Sequence, residues 1–299
     1  MKIIAFFSNR ESVGTTSLVY HLAWMFAELG VSVLAVDLDP QANLTAMFLS
    51  EEERTGGLTT NRTDGLRIEP KLSLLPSDLG LSRFEENLSQ AWCHCSNSSQ
   101  LALDVVTFFH RRIQGAAEGE AELALIDLGP NLGAINRSAL IAADYVCFPL
   151  TADRQSLQGL QHAGPALTDW RNSWEAMKSK APEGLSLPKG SMAPAGYVLM
   201  QQGTGTRKED IPGVYQEAVL GISSWFSDVP KLTVDPHCLA RLRHYRSLMP
   251  LTAEARKPMF LLTPVDGAIG AHGAAVQDCL EDFLALAERI AVAVGVTIG

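Results

Sequence analysis

Short apolar runs recur along the chain and alternate with longer stretches of helical periodicity. The runs are apolar at successive positions rather than at alternate ones, which is typical of strands buried on both faces. We therefore predict an α/β fold of three layers, in which a mostly parallel sheet carries helices on both faces. The predicted strands are KIIAFF (2–7), VSVLAVD (31–37), ELALIDL (122–128), YVCFPL (145–150) and GYVLMQ (196–201).

Helical segments separate these strands. One helix is predicted from about Thr16 to Leu29, because Gly30 stands where a helix commonly ends in a left-handed residue. Another covers LGAINRSALIAA. The region from about 51 to 119 has a weaker pattern and is interpreted as an insertion. Since no repeat and no strong linker divides the chain, we expect a single domain over 1–299.

Composition narrows the class of protein. The chain has 299 residues, of which 46% are hydrophobic, so it can bury a large core. Its formal charge of −9 argues against a surface devoted to DNA, although it leaves room for a local basic patch. The sequence shows no apolar run of the roughly 18 residues that span a bilayer, and MKIIAFFSNR does not resemble a signal peptide.

Cysteine usage favours a reducing compartment, because the five cysteines are irregularly spaced. A cytoplasmic protein is therefore expected. Cys93, His94 and Cys95 form the densest cluster of metal-type ligands, but a zinc site needs a second ligand pair at suitable spacing. This cluster is interpreted as a helix end.

Polar residues follow three of the predicted strands and suggest a phosphate and magnesium site. The first strand leads into Gly14-Thr15-Thr16-Ser17, the second ends in VDLDPQAN with Asp37 and Asp39, and a third ends in LIDLGPNLG with Asp127. Ligands of parallel sheets collect at the carboxyl ends of the strands. A helix N-terminus favours phosphate, whereas hydroxyl and carboxylate oxygens suit Mg²⁺.

These segments resemble the ParA/MinD group of deviant P-loop ATPases, and most closely the ParA-type partition ATPases. That family reads roughly K-G-G-x-G-K-T-T, then V-D-x-D-P-Q-x-N, then I-D-x-P-P-x-L-G. Here VDLDPQANLT and LIDLGPNLGAINRSALIAADYVCFPL match, with Gly129 replacing a proline, and two further segments, LSLLPSDLGLSRFEENLS and HYRSLMPLTAEARKPMFLLTPVDGAIGAHGAAVQ, are similar. The resemblance covers nearly the whole chain and implies the fold of SIMIBI-type P-loop NTPases.

The resemblance also implies roles for single residues. Thr16 would be the Mg²⁺-binding hydroxyl, Asp127 would hold Mg²⁺ through water, and Asp39 would position or activate the attacking water. Gly14 would let the backbone approach the phosphates. The nucleotide-binding loop that the resemblance implies is Arg10, Glu11, Ser12, Val13, Gly14, Thr15, Thr16 and Ser17.

Four departures of the loop from the family change its charge or its glycines. Arg10 replaces the signature lysine that reaches the partner's nucleotide, Glu11 and Ser12 replace glycines, and Thr15 replaces the main phosphate-binding lysine. Loss of that cation removes charge stabilisation from the transition state, so we expect ATP hydrolysis to be absent or very slow. Whether ATP and Mg²⁺ still bind stays open at this point. Arg10 could bind phosphate in a bidentate way, or it could pair with Glu11.

The family also binds DNA non-specifically through basic residues of its C-terminal part. The candidates here are Arg241, Arg243, Arg246, Arg256 and Lys257. If RLRHYRS is helical, Arg243 and Arg246 share one face; the alternative interpretation is an ordinary solvated helix face. The last helix carries acidic residues that an anionic membrane surface would repel, so no membrane partner is expected.

Three hypotheses for function remain. The first is a ParA-like partition or positioning protein that forms a homodimer, binds DNA and recruits a ParB-like or adaptor partner. The second is a pseudo-ATPase that serves as a scaffold or regulator without turnover. The third is an active ATPase in which Arg10 substitutes for a lysine.

Overall fold

The computed structural model describes residues 1–55, 65–95, 99–117, 119–151, 153–202 and 237–299. Their centre is an eight-stranded sheet in the order β3-β4-β2-β5-β1-β6-β7-β8. β3 is antiparallel to β4, and the other neighbouring strands are parallel. The strands are β1 Lys2–Phe6, β2 Val33–Asp37, β3 Leu66–Glu69, β4 Leu72–Leu75, β5 Leu123–Asp127, β6 Tyr145–Thr151, β7 Ala193–Gln202 and β8 Cys238–Arg243.

Helices cover both faces of this sheet, as predicted for a three-layer α/β fold. Within the described ranges they are α1 Thr15–Glu28, α2 Asn43–Phe48, α3 Glu51–Thr55, α4 Phe84–Cys95, α5 Gln100–Val106, α6 Phe108–Ala117, α7 Ala134–Ala142, α8 Arg154–Lys178, α9 Met249–Ala255 and α10 Ala271–Val294. Short 3₁₀ turns lie at Leu79–Arg83, Met259–Leu261 and Pro264–Asp266. The part of the chain that the structure describes has no helix long and apolar enough to cross a bilayer.

Strand β1 shows why the predicted runs are apolar at every position. Ile4 and Phe6 belong to a buried cluster that includes side chains of α1 and α10. Ile3, Ala5 and Phe7 belong to a second buried cluster, which includes side chains of α6 and α7. Successive strand residues point to opposite faces, so both faces need apolar side chains.

All five predicted strands and the helix after the first strand are confirmed, and α1 ends before Gly30, which has a positive φ of 82°. The region from 51 to 119 supplies α3 to α6 and also β3 and β4, and β4 pairs in parallel with β2. Whether this region is an insertion into a smaller domain stays a prediction.

The register of the central strands brings the predicted site together. Asp37 at the end of β2 lies beside Asp127 at the end of β5. On the other side of β5, Phe6 at the end of β1 lies beside Asp127. The loop from β1 to α1 therefore leaves the sheet next to two carboxylates.

Candidate nucleotide and magnesium site

The loop between β1 and α1 has the backbone shape that phosphate binding needs. Ser12 and Gly14 both lie in the left-handed region, with φ angles of 61° and 98°. Helix α1 starts at Thr15, and its N-cap, Gly14, offers no side chain to the first N–H groups. The amide of Gln201 donates to the carbonyl oxygens of Ser12 (2.8 Å) and Val13 (3.3 Å), which holds the loop against β7.

Serine is a strained choice at position 12. A residue with a Cβ in the left-handed region costs roughly 1–2 kcal/mol relative to the right-handed one. The prediction that this position favours glycine is thus supported by its φ angle of 61°. Residues held in such conformations often belong to functional sites.

Arg10 does not pair with Glu11, which was one of the two arrangements that the sequence left open. Its Nη1 donates to the hydroxyls of Thr151 (2.9 Å) and Ser156 (3.4 Å) and forms an ion pair with Asp153. Burial alone would raise the pKa of Asp153, but hydrogen bonds from Ser156, Thr151 and Arg10 lower it overall. The Arg10 charge is therefore balanced by Asp153 at the start of α8 and not by Glu11.

Asp127 is the least satisfied polar group of the site. Its side chain is almost fully buried, with 1% exposed. Neither carboxylate oxygen has a hydrogen-bond partner in the described part of the chain. Burial raises the pKa of Asp127 well above its usual range, and the charges of Asp37 and Asp39 add to the rise. The neighbouring Thr16 hydroxyl opposes the rise, although it makes no well-formed hydrogen bond to the carboxylate. A cation beside Asp127 would remove this conflict.

Asp37, by contrast, is buried with three hydrogen bonds. It accepts from the backbone N–H and the hydroxyl of Thr45 at 2.7 Å each, and from the N–H of Asp39 at 3.1 Å. Burial still raises the pKa of Asp37 to about 6, although these hydrogen bonds lower it. The Thr45 hydroxyl also accepts from the N–H of Ser77 at 3.0 Å. Asp37 therefore shapes the edge of the site, whereas Asp127 can serve a ligand.

Asp39 lies closer to solvent, where a water could reach it. It is half-buried and accepts the N–H of Gln41 at 2.9 Å. A Cβ at Gly129 would lie 3.3 Å from the Asp39 Oδ1, which is a tight contact. The glycine that replaces the family's proline thus leaves room for the Asp39 carboxylate.

Two cavities adjoin the loop. A cavity of about 870 Å³ is lined by residues of the loop, by Thr16 and Asp39, and by residues of α2 and α9. A second cavity of about 310 Å³ contacts Gly14 and Ser17 and is lined by apolar side chains that include Met200, Leu242 and Phe283. Both volumes lie in the range of small-molecule sites.

His21 is a site residue that sequence reasoning missed. It is buried, its Nδ1 lies 2.7 Å from the carbonyl oxygen of Ser17, and its Nε2 accepts the N–H of Met259 at 3.1 Å. Burial lowers the pKa of His21 to about 4, against the effect of Ser17. A neutral ring with a proton on Nδ1 satisfies both contacts and joins α1 to the turn after α9.

A magnesium ion fits the donors that are present. The described residues contain no group of three or more His, Cys, Asp or Glu side chains suited to holding a metal. Mg²⁺ commonly binds to one or two protein oxygens and takes waters and phosphate oxygens for the rest. The buried, unpaired Asp127 and the hydroxyl of Thr16 are such protein oxygens.

The segment RLRHYRS does not form the helix that would place Arg243 and Arg246 on one face. RLR lies in β8, which ends at Arg243, so Arg243 and Arg246 do not share a helical face. The candidate DNA-binding residues also differ in whether their charge is already paired. Arg243 forms ion pairs with Asp278 (2.8 Å) and Asp282 (3.2 Å).

Lys257, another DNA candidate, pairs with Asp266 at 3.0 Å. The remaining candidates, Arg241, Arg246 and Arg256, are exposed. The basic residues therefore do not form one uniform patch of free cations.

Comparison with known proteins decides the family. The AAA_31 family model, described as an AAA domain, matches residues 1–173, which is more than half of the chain. The chain belongs to the AAA_31 family. The curated relatives of this AAA_31 protein include partition proteins, so the predicted ParA-type relationship is confirmed at the level of the family.

Among these relatives, the protein IncC of Escherichia coli is 32% identical over 174 residues, which cover 54% of this chain and 44% of IncC. A probable plasmid-partitioning protein ParA of Thermus thermophilus is 29% identical over 191 residues, which cover 60% of this chain and 54% of that protein. The chain thus spans about half the length of the curated relatives it matches.

Solved structures share the fold over nearly the whole chain. The protein DIP2308 of Corynebacterium diphtheriae superposes with a TM-score of 0.69 at 18% identity and 98% coverage of both chains. A variant of McdA from Cyanothece, in complex with ATP, gives a TM-score of 0.65 at 15% identity, with 99% and 97% coverage. At such identities the likeness establishes the α/β fold alone.

Proposed function

We propose that the protein is a ParA-like partition or positioning protein that binds ATP with Mg²⁺ and hydrolyses it very slowly or not at all. One observation carries the proposal. Asp127 is buried without a hydrogen-bond partner in the described chain, next to Thr16 and the start of α1. Such a carboxylate is stabilised by a cation, and a phosphate chain at the helix N-terminus would bring that cation with it.

Each part of a nucleotide has a matching surface. The N–H groups at the start of α1 would bind the phosphates, since no side chain caps them. The apolar cavity of about 310 Å³ that contacts Gly14 and Ser17 would accept the base. Mg²⁺, when bound through Thr16 and Asp127, would neutralise phosphate charge, and Asp39 would orient a water at the terminal phosphate.

Slow hydrolysis follows from the charges in the loop. Thr15 brings no cation to the phosphates, and Glu11 adds an exposed negative charge beside them. Arg10 is held by Asp153, Thr151 and Ser156, so its charge is already balanced. Phosphoryl transfer relies on neutralising negative charge in the transition state, and this loop supplies little positive charge for that purpose.

We also propose that the protein forms a homodimer, binds DNA without sequence preference and recruits a ParB-like or adaptor partner. The names of its relatives support a role in partition, because one is a probable plasmid-partitioning protein and another is the cell division protein PomZ of Myxococcus xanthus. Of the cations predicted to contact DNA, Arg241 and Arg246 suit this role best, since they are exposed and do not line the cavity beside the loop. Such contacts would weaken steeply with salt.

A scaffold without nucleotide turnover is the second candidate. The observation that favours it is the pairing of Arg10 with Asp153, because this pairing leaves the loop satisfied without a nucleotide. In this second candidate the loop stays closed and takes up no nucleotide, so the two candidates differ in whether the protein binds ATP, and a binding measurement separates them.

The test is calorimetric titration of ATP into the protein, with and without Mg²⁺, beside the variant Asp127→Asn. We expect binding that is tighter with Mg²⁺, and we expect the variant to lose this Mg²⁺ dependence while still binding the phosphates. Asp104→Asn is the matched control, because Asp104 is a half-buried carboxylate of α5 outside the site, paired with Arg111. Absence of heat from the unchanged protein under both conditions would refute ATP binding and leave the scaffold.

A further inference from the structure

The cavity of about 870 Å³ has a second wall that the proposed roles do not use. Besides the loop, it is lined by Tyr20 and His21 of α1 and by Met249, Thr252 and Arg256 at α9. Thr252 is 7% exposed, and its hydroxyl has no hydrogen-bond partner among the residues that the structure describes. A buried hydroxyl without a partner is costly, so a polar group of a ligand, or a water, beside it would stabilise this wall of the cavity.

Arg256 follows Thr252 by four residues and lines the same cavity. It adopts a left-handed φ of 52° at the C-cap of α9, and its carbonyl oxygen accepts the hydroxyl of Tyr20 at 3.5 Å. Left-handed arginine is uncommon, and such strain persists where the surrounding structure fixes the residue. The backbone of Arg256 thus contacts Tyr20 of α1, and both residues line the cavity.

Arg256 differs from the other cationic residue of this cavity in that its charge is not paired with any residue that the structure describes. In the described chain, the permanently cationic side chains lining the cavity are those of Arg10 and Arg256. Arg10 is balanced by Asp153. The guanidinium of Arg256 makes no hydrogen bond or ion pair within the described residues. Glu53 interacts with it at longer range, and the pKa of Glu53 is lowered first by hydrogen bonds from Ser50 and to a smaller extent by Arg256.

From this geometry we infer that Thr252 and Arg256 form a second phosphate-binding wall, in which Arg256 supplies the cation that Thr15 lacks. The inference rests on the proposed nucleotide binding and names a further residue of that site. A guanidinium binds phosphate with charge-assisted hydrogen bonds, and a hydroxyl four residues earlier on α9 would add one more. Arg256 was predicted to contact DNA, and this inference assigns it to the nucleotide instead.

The test compares Arg256→Gln, Arg256→Lys and Thr252→Val with the unchanged protein. Binding of Mg-ATP and of inorganic tripolyphosphate is measured by calorimetry, and DNA binding by mobility shift. We expect Arg256→Gln to weaken both phosphate ligands by about tenfold or more, Arg256→Lys to restore part of the loss, and DNA binding to stay unchanged. Arg54→Gln is the matched control, because it removes an exposed arginine of α3 that does not line the cavity.

The outcomes separate this inference from the proposed function. If the unchanged protein binds neither Mg-ATP nor tripolyphosphate, both fail. If it binds them and Arg256→Gln binds them equally well, or if that variant loses DNA affinity alone, only the present inference fails. Thermal melting of each variant shows that a loss of binding is not a loss of folding.

Discussion

Replacing His21 tests the electrostatics of the core beside the loop. The pKa of His21 is lowered from 6.5 to about 4, chiefly by burial. A histidine with a lowered pKa in the folded state contributes stability that is present above the unfolded value, and that stability is lost as the pH falls from about 6.5 towards 4. The unfolded and folded pKa values of His21 differ by about 2.5, which corresponds to about 3 kcal/mol in the free energy of unfolding at 1.36 kcal/mol for each pH unit.

The variant His21→Gln keeps polar atoms but cannot take up a proton. We expect it to be less stable than the unchanged protein at pH 7.5, because the contacts to Ser17 and Met259 are disturbed. We expect this disadvantage to shrink by about 3 kcal/mol by pH 4, since only the unchanged protein must charge a buried ring. The contribution of Asp37 to the pH dependence has the opposite sign, because its raised pKa favours the folded state as the pH falls through about 6. This contribution is the same in both proteins and cancels when they are compared.

The assay is urea unfolding followed by circular dichroism at several values between pH 7.5 and 4, from which the free energy of unfolding is extrapolated. His162→Gln serves as the control, because it changes an exposed histidine of α8 in the same way. If the unchanged protein and His21→Gln lose stability in parallel over this range, the assignment of a neutral, buried His21 is refuted.

Two further changes test the loop. Ser12→Gly should raise the free energy of unfolding by about 1 kcal/mol, because glycine removes the strain of a φ of 61°. Ser247→Gly, at an exposed serine without a positive φ, should instead lower the free energy of unfolding. If both variants are less stable than the unchanged protein, the inference of strain at Ser12 is contradicted. Thr15→Lys should raise the rate of phosphate release from ATP by about a hundredfold, because it restores a cation at the transition state, whereas Thr15→Ala should not. Rapid release by the unchanged protein would overturn the expectation of slow hydrolysis.

The central strands and the carboxylates at their ends were predictable because their signals are local. Asp37 and Asp127 follow continuous apolar runs, and parallel pairing then places them together, as the register of β2 and β5 confirms. Strand β8 was missed since its sequence, CLARLR, mixes apolar and basic residues. Among the described strands it lies at the end of the sheet, where charged side chains are common.

The hydrogen-bond and ion-pair partners of individual polar side chains could not be predicted from the sequence, for a physical reason. Arg10 pairs with Asp153, which lies 143 positions away in the chain. His21 reaches Met259 across 238 positions. Periodicity places a residue on a helix or strand, but contacts of this kind depend on how distant elements pack. The sequence therefore indicated that Arg10 matters without indicating what it binds.

The hydrogen bonds of Asp37 have a mechanical consequence. One carboxylate holds the backbone at Asp39, the first turn of α2 at Thr45 and, through the Thr45 hydroxyl, the chain at Ser77. Three segments of the chain between Asp39 and Ser77 are thus held together by one side chain. Asparagine there would keep the size of the side chain but replace one acceptor oxygen by an NH₂ donor. The orientation of the backbone at Asp39 therefore depends on Asp37, a residue that has no proposed contact with the nucleotide.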